Sequence, residues 1–300
     1  MSSHQLLPTA VALVLLAGVT ACGGGPSGSQ TETHADTLTT APSDGGGVVN
    51  IGGKLFSIPS PVQTALMIRS TGAEYQRDIV LDRAKADGLT SKVGRALAMG
   101  LYGADLAYTT IHKDGQSALA TLQTIEQLGA RLELGNAFDK SLLDRFKENM
   151  NNQDSLLRLS GEAFRASDQY LKTNDRGDVS SLILAGGWLG SLHIALRHTE
   201  GKGSEKVAQR VGEQRRALGD LIALIEANDR EKQCDALCAD LRTLKQAFDA
   251  IKSTYQFEKP VTDVAARTTF INGASSVTVT PEQLTAIAQQ VETLRTKYLI

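Results

Sequence analysis

The sequence is poor in aromatic rings and in net charge, and each shortage excludes a class of partner. Phe, Trp and Tyr make up 5% of the chain, too few to favour a surface on which sugars or nucleobases stack. The net charge of −2 at pH 7 implies no basic face for a nucleic acid, and it also argues against electrostatic docking on an anionic membrane. We therefore expect no nucleic-acid partner.

The chain also lacks the short motifs of common catalytic and nucleotide-binding sites. It contains no G-x-S-x-G, no H-E-x-x-H, no P-loop and no dinucleotide-binding glycine fingerprint. Motifs alone therefore predict no cofactor, no metal site and no catalytic residue.

Lys and Arg are absent from residues 1–10, although the stretch that follows is typical of a secretory signal. An apolar run over residues 11–21 leads to Cys22, and a signal needs such a run of about 7–15 residues followed by small side chains. The tetrapeptide V-T-A-C that ends at Cys22 resembles the bacterial lipobox, in which the Cys sulfur receives a diacylglycerol before the chain is cut in front of it. The resemblance predicts a lipoprotein signal peptide over residues 1–21 and a lipidated Cys22 as the mature N terminus.

A buried first helix or a membrane span is the alternative interpretation of the same run. From Leu6 to Ala21 the run is interrupted by Pro8, and it is shorter than the roughly 20 residues that a spanning helix needs. The three glycines that follow Cys22 suit neither a core helix nor a stop-transfer flank. The pattern therefore favours the lipoprotein signal.

The segment behind Cys22 is rich in Gly, Ser and Thr and poor in large aliphatic side chains. Such a segment cannot bury enough apolar surface to fold, so residues 22–49 are predicted to be a disordered linker that carries the lipid. A flexible chain of this length reaches roughly 30 Å. Gly23 after Cys22 resembles lipoproteins sorted to the outer membrane, so we expect a lipid-anchored protein there that faces the periplasm.

Residues 50–300 are predicted to form a single helical domain. The expected fold is all-α, an antiparallel multi-helix bundle with a small β-hairpin near the C terminus, because short connections with Gly, Asn or Asp separate the helical segments. Helices are predicted over residues 61–70, 73–82, 91–113, 115–134, 139–150, 154–171, 178–198, 204–227, 230–255 and 281–298. The 178–198 helix is the most apolar of these and is expected at the centre.

Local signals mark several element boundaries. β-Branched residues flank Asn272-Gly273 within residues 268–280, which predicts a hairpin with its turn at that pair. Residues 51–57 are expected to be extended and are a candidate third strand. Ser60 and Thr280, each followed by a Pro, predict the N-caps of the first and last helices.

The first candidate site lies on the 91–113 helix. Tyr102, Asp105 and His112 share one face of that helix, and Tyr108 stands beside them. A carboxylate with a His two turns away could bind a cation or act as an acid–base pair. The alternative, which the pattern favours, is a polar face or an Asp105 that bonds to a neighbouring helix and fixes its register.

The second candidate site surrounds Trp188, the only Trp of the chain. The same helix contains Gly186, Gly187 and Gly190, although glycine is unfavourable inside a helix. Their presence indicates that either a neighbouring helix or a ligand approaches the backbone there. Trp188 with His193 and the 91–113 helix would make a plausible pocket wall. A helix crossing with Trp188 as its core anchor is the favoured alternative.

The third candidate is the pair Cys234 and Cys238, which an offset of four places on one face of the predicted 230–255 helix. At that offset the Cα atoms are roughly 6 Å apart, a separation within the disulfide range that nevertheless strains the bond. A local disulfide or two unpaired thiols are the favoured alternatives. A zinc site would need two further ligands that no spacing indicates.

The sequence resembles a family of uncharacterised helical lipoproteins from Gram-negative bacteria in three runs, Phe56–Ile68, Gly100–Tyr108 and Leu184–Gly190. The resemblance covers most of residues 51–298. It implies a fold and a location but no activity, and no functional residue carries over from it.

Two functions are compatible with these observations. We expect a membrane-anchored, non-enzymatic binding or interaction module of the cell envelope, whose partner is an envelope protein or a small ligand. The alternative is an enzyme or a metal-binding domain with its site between the 91–113 and 178–198 helices.

Overall fold

The computed structural model describes residues 48–51, 54–134, 140–201, 203–263, 267–270 and 274–299. In these ranges the chain forms ten α-helices and six short strands, so the all-α class with a C-terminal hairpin is confirmed. The helices are α1 (Pro61–Ser70), α2 (Lys92–Ile111), α3 (Gly115–Arg131), α4 (Lys140–Glu148), α5 (Gln153–Thr173), α6 (Gly177–Leu196), α7 (Ser204–Gly212), α8 (Gln214–Asn228), α9 (Asp235–Asp249) and α10 (Pro281–Tyr298). The strands are β1 (Val48–Ile51), β2 (Lys54–Ser57), β3 (Lys252–Gln256), β4 (Val261–Asp263), β5 (Thr268–Phe270) and β6 (Ala274–Thr278).

The N-terminal predictions concern residues that the structure does not describe. The predicted signal peptide, Cys22 and the linker up to residue 47 lie outside the described residues. The last two residues of the predicted linker, Val48 and Val49, belong to β1.

Helices α2 and α6 cross at the centre of the bundle, where glycines let the two backbones touch. A Cβ on Gly186 of α6 would collide with the carbonyl oxygen of Leu97 on α2. A Cβ on Gly100 of α2 would lie 2.5 Å from the backbone nitrogen of Gly187 on α6. Each glycine costs about 1 kcal/mol in helix propensity relative to Ala. The two helices can approach this closely only because the glycines have no Cβ. The predicted helix crossing is confirmed.

Helix α6 is also the central helix that its composition predicts. By length and composition it could cross a membrane, but 83% of its apolar window is buried inside the domain. Its apolar surface is therefore covered by neighbouring helices, as in the core helix of a globular protein.

Capping boxes begin α1 and α10, as the sequence predicts. The Ser60 hydroxyl accepts a 3.2 Å hydrogen bond from the backbone N–H of Gln63, whose side chain accepts one from the Ser60 N–H at 3.4 Å. Thr280 and Gln283 make the same reciprocal pair at 3.3 and 2.9 Å. Each box satisfies two backbone donors that a helix start would otherwise leave free.

Two of the predicted helices are shorter or interrupted. Residues 73–82 contain only the 3₁₀ turn Arg77–Ile79, and a second 3₁₀ turn follows at Arg83–Ala86. The predicted 204–227 helix breaks between α7 and α8, next to Gly212. A Cβ on Gly212 would lie 2.5 Å from the side chains of Val277 and Val279. Strand β6 and the residue after it therefore pack directly on the helix at its break.

The predicted 230–255 helix begins later and ends earlier than expected. It covers Asp235–Asp249, and Lys252–Gln256 form β3 instead. Ser, Thr and Tyr at 253–255 favour a strand once a partner strand is available.

The C-terminal hairpin forms with different arms from those predicted. β3 pairs antiparallel with β6, with Lys252 opposite Thr278, and β4 pairs antiparallel with β5, with Val261 opposite Phe270. The predicted turn at Asn272-Gly273 lies outside the described residues. The strands that flank this pair, β5 and β6, pair with β4 and β3 and not with each other. Residues 51–57 add no third strand, since β1 and β2 pair only with each other among the described strands.

Candidate functional site

Asp105 and Tyr102 on α2 hold the chain segment that precedes α2. The Asp105 carboxylate accepts a 2.9 Å hydrogen bond from the backbone N–H of Leu81. The Tyr102 hydroxyl donates a 2.8 Å hydrogen bond to the carbonyl oxygen of Asp82. Both side chains are buried, so these polar groups fasten the segment around the 3₁₀ turns to α2.

The electrostatics of this pair follow from burial. Burial raises the pKa of the Asp105 carboxyl to about 7, although the hydrogen bond from Leu81 and the charge of Arg295 act in the opposite direction. Burial and the nearby Asp105 raise the pKa of the Tyr102 hydroxyl far above its usual range. A shifted carboxyl is often a functional group, but this one is enclosed by protein and bonded to backbone.

Tyr108 and His112 lie one and two turns further along α2, in an aromatic cluster. The Tyr108 hydroxyl oxygen accepts from the backbone N–H of Gln76 at 2.9 Å and lies 3.0 Å from Nε2 of His198. The His112 ring stacks on Tyr75 with ring centres 5.1 Å apart. Burial lowers the pKa of His112 to about 4 and that of His198 below its usual value, so both rings are neutral at pH 7.

His193 on α6 faces α10 and pairs with an arginine. Nη1 of Arg295 lies 2.9 Å from the His193 ring nitrogens and donates to Glu292 at 2.9 Å. Burial, and then the charge of Arg295, lower the pKa of His193 to about 3. A neutral ring can accept a hydrogen bond from the guanidinium, so the pair joins α6 to α10.

The six residues predicted for a ligand pocket therefore fall into separate environments. Asp105 bonds to Leu81, His112 stacks in the aromatic cluster, and His193 pairs with Arg295, so these three side chains do not converge on one cavity. In the described part of the chain no group of three His, Cys, Asp or Glu side chains is arranged to hold a metal ion. Asp105 thus makes a structural hydrogen bond, as one favoured alternative expects, but its partner is the backbone of Leu81 after the first 3₁₀ turn and not a neighbouring helix.

Trp188 lines an apolar cavity beside the α2–α6 crossing, whereas His193 lines a separate, more open one between α6 and α10. The Trp188 Nε1–H donates a 3.1 Å hydrogen bond to Oε1 of Gln214, and its ring centre lies 6.5 Å from that of Phe248. It is a core anchor, as the favoured alternative has it, and it also forms part of a pocket wall. Gly186 lies at the helix crossing, which is the favoured explanation for the glycine-rich stretch, and Gly187 lines the pocket.

The pocket has a volume of about 440 Å³ and lies beside the α2–α6 crossing. Its walls come from the segment before α1 and from α1, α2, α3, α5 and α6. The apolar side chains of the wall include Met99, Leu106, Leu122, Ile125, Phe164 and Leu171. The pocket uses a different face of α2 from the one that carries Asp105 and His112.

Two aliphatic side chains of the central helix face this pocket. Between Val179 and Leu196, every residue of α6 is buried except Ile183, Leu184 and His193. Ile183 and Leu184 are half-buried, and both line the pocket. The core helix therefore presents apolar surface to an open space at this one place.

Polar groups also line the pocket. Ser167 of α5 and Ser180 of α6 are buried, each with 7% of its surface exposed. Arg165, Asp168 and Lys172 of α5 complete this polar part of the wall. Apart from Trp188, the residues of this pocket could not be identified from the sequence, because most of them are apolar and they are spread over five helices.

The two C-terminal thiols are free and buried. No disulfide joins Cys234 to Cys238 in the structure, so of the two favoured alternatives, a local disulfide and two unpaired thiols, the structure has the second. Cys234 precedes α9 as its N-cap residue instead of lying within a helix. Burial, with the charge of Asp229, raises the pKa of the Cys234 thiol to about 12 and raises that of Cys238, so neither is a thiolate at neutral pH.

The chain matches no protein-family model, no curated protein and no solved structure. The resemblance to helical lipoproteins therefore stays a prediction, and function has to be argued from the site.

Proposed function

We propose that this protein is a lipid-anchored module of the cell envelope that binds a small apolar ligand in the pocket beside the α2–α6 crossing. The observation that carries the binding function is the exposure of Ile183 and Leu184 to that pocket, on a helix that is otherwise almost fully buried. Apolar surface left open in this way is stabilised when an apolar molecule covers it.

The size of the pocket supports a small-molecule ligand. Its 440 Å³ falls within the range of about 300–1,000 Å³ that is typical of such sites. A few polar groups among largely apolar walls are also typical of ligand pockets, since they orient a molecule that burial holds in place. An enzymatic role has no comparable support, because the titratable side chains predicted for it are engaged in separate contacts.

The anchor is proposed from the sequence. Cys22, the apolar run before it and the polar linker behind it favour a protein that is tethered to a membrane through its acylated N terminus. Two or three acyl chains give stable anchoring, and Gly23 favours the outer membrane on its periplasmic side.

A pair of Leu→Trp variants tests the binding function. Leu184→Trp places a larger side chain in the pocket wall, whereas Leu66→Trp adds the same group at a 44% exposed position of α1 that does not line the pocket. We expect a neutral naphthylamine dye to gain fluorescence with the wild type and with Leu66→Trp, and to bind Leu184→Trp at least tenfold more weakly. Equal dye binding by all three proteins would exclude this pocket as the site.

Fractionation of cells tests the anchor. The wild type is expected in the membrane fraction, and Cys22→Ser in the soluble fraction, because the substitution removes the acylated sulfur. A Cys22→Ser protein that still sediments with membranes would show that the lipid is not the anchor.

A further inference from the structure

We propose that the ligand is a fatty carboxylate, a single alkyl chain with an anionic head, and that Ser167, Ser180 and Arg165 receive its carboxylate. This inference rests on the proposed binding function and adds the chemical class of the ligand. It is carried by the polar groups of the pocket that have no partner within the protein as described.

Two serines of the pocket wall are buried residues whose hydroxyls have no partner among the residues that the structure describes. Ser167 and Ser180 are each only 7% exposed, and neither side chain makes a hydrogen bond with any residue that the structure describes. Other buried hydroxyls of the bundle, such as those of Thr109 and Ser191, bond to the carbonyl three or four residues earlier. Neither oxygen is among the fully enclosed side-chain atoms that lack a partner in the described part of the chain, and both residues line the pocket. The two hydroxyls are therefore open to the pocket and can donate to an acceptor on a ligand.

The two hydroxyls lie at the same end of the pocket. Ser167 is about two turns before the end of α5, and Ser180 is in the first turn of α6. The short connection at 174–176 makes these helices antiparallel neighbours, so positions near it lie side by side. A head group between α5 and α6 is therefore within reach of both.

The charges beside this end favour an anion. Lys172 and Asp168 neutralise each other in a 2.6 Å ion pair. Arg165 forms no hydrogen bond and no ion pair with the described residues. Its acidic neighbours three positions away on either side are Glu162, which accepts two hydrogen bonds of 2.9 and 3.2 Å from Arg145, and Asp168, which is paired with Lys172. The exposed Arg165 is thus a pocket-lining cation without an ion pair among the described residues, and a guanidinium binds a carboxylate with paired, charge-assisted hydrogen bonds.

The remaining wall fits a hydrocarbon chain. The volume of 440 Å³ is about three times the roughly 150 Å³ of a cavity that takes one benzene ring, so it has room for a chain of a dozen carbons or more. The carboxylate also separates this ligand from the protein's own anchor, because the acyl chains of a modified Cys22 are esters and an amide and carry no free anionic head.

Competition with the naphthylamine dye tests the inference with three ligands of one chain length, namely dodecanoate, dodecanol and dodecylammonium. We expect dodecanoate to bind about tenfold more tightly than dodecanol, the effect of one charge-assisted hydrogen-bonded contact, and dodecylammonium to bind most weakly. In Arg165→Ala and in the double variant Ser167→Ala, Ser180→Ala, dodecanoate should bind no more tightly than dodecanol, while dodecanol affinity stays unchanged. Arg158→Ala, an exposed arginine of α5 that does not line the pocket, is the matched control and should keep the full preference.

Each other outcome would refute either the anionic head group, the residues assigned to it, or the binding function itself. Dodecanol binding without a preference for dodecanoate would refute the anionic head and leave the proposed function standing. A preference that survives in both variants would refute the assignment of these residues. If neither dodecanol nor dodecanoate displaced the dye, the inference would be refuted. If the wild type did not bind the dye at all, the proposed function would be refuted as well.

Discussion

The backbone N–H of Leu81 donates a 2.9 Å hydrogen bond to the carboxylate of Asp105, which is only 3% exposed. This contact joins the segment of 3₁₀ turns to α2 through a carboxyl group whose ionisation burial disfavours. The stability of the domain should therefore depend on pH in a way that this carboxyl sets.

Asp105→Asn is expected to stabilise the protein at high pH. The folded pKa of Asp105, about 7, is raised from 3.8, so the folded state holds the proton more tightly than the unfolded chain does. The stability that the neutral acid contributes is fully present below about pH 4 and is lost as the pH rises through about 7. Asn keeps an acceptor for the Leu81 N–H and carries no charge. In urea unfolding, the variant and the wild type should have similar free energies of unfolding near pH 4. Near pH 8 the variant should be more stable by on the order of a few kcal/mol.

Asp114→Asn is the control with the opposite sign. Burial alone would raise the pKa of Asp114, but hydrogen bonds from Ser117 and Tyr75 and the charge of Arg77 lower it. Its ionised form therefore stabilises the fold, and the variant should lose stability relative to the wild type above about pH 4, with a smaller loss as the pH falls. Stability curves for Asp105→Asn and the wild type that ran parallel from acid to alkaline pH would contradict the account of Asp105.

Two adjacent glycines of α6 should respond to Ala in opposite directions. A Cβ on Gly186 would meet the Leu97 carbonyl and force α2 and α6 apart, whereas one on Gly187 would lie 3.5 Å from Pro61 and 3.7 Å from the carbonyl oxygen of Gly100, which are ordinary contacts. We expect Gly186→Ala to lower the free energy of unfolding by about 3 kcal/mol or more. Gly187→Ala should be neutral or stabilising by up to about 1 kcal/mol. Thermal or urea unfolding of the two variants measures this, and equal losses would show that the crossing is not the reason for Gly186.

Most helices, the central place of α6 and its crossing with α2 could be predicted from the sequence, because their causes are local. The capping boxes at Ser60 and Thr280 and the period of the apolar residues are contained in short windows. Glycines in a segment that otherwise favours a helix indicate that another part of the molecule packs closely there, but they do not identify that part. The described helices agree with these expectations to within a few residues in most cases.

The failures have long-range causes. The break between α7 and α8 is next to Gly212, where Val277 and Val279 pack from more than sixty positions away. Residues 252–256 form a strand because 274–278 pair with them, although their own sequence continues a helical pattern. Most of the pocket could not be predicted for the same reason, since Ile183 and Leu184 look like core residues until the positions of α3 and α5 are known.

The two free thiols are expected to react slowly in the folded protein. Cys234 and Cys238 are buried, and the pKa of each is raised, so little thiolate is present at neutral pH. In a Cys22→Ser background, a chromogenic disulfide reagent should label both thiols quickly in urea and many times more slowly without it. Rapid labelling of the native protein would contradict their burial, and failure to label in urea without a reductant would reveal a disulfide.

Two phenylalanines, one in the core and one on the C-terminal hairpin, should differ sharply in what they contribute to stability. Phe248 of α9 is fully buried beside Trp188, whereas Phe257, just after β3, is 72% exposed. Phe248→Ala leaves a cavity next to the Trp188 ring, so it should lower the free energy of unfolding by about 3–5 kcal/mol. Phe257→Ala removes a side chain that is mainly in water and should change it by no more than about 0.5 kcal/mol. Urea unfolding monitored by Trp188 fluorescence measures both, and a large loss for Phe257→Ala would mean that the Phe257 ring packs on the domain in solution.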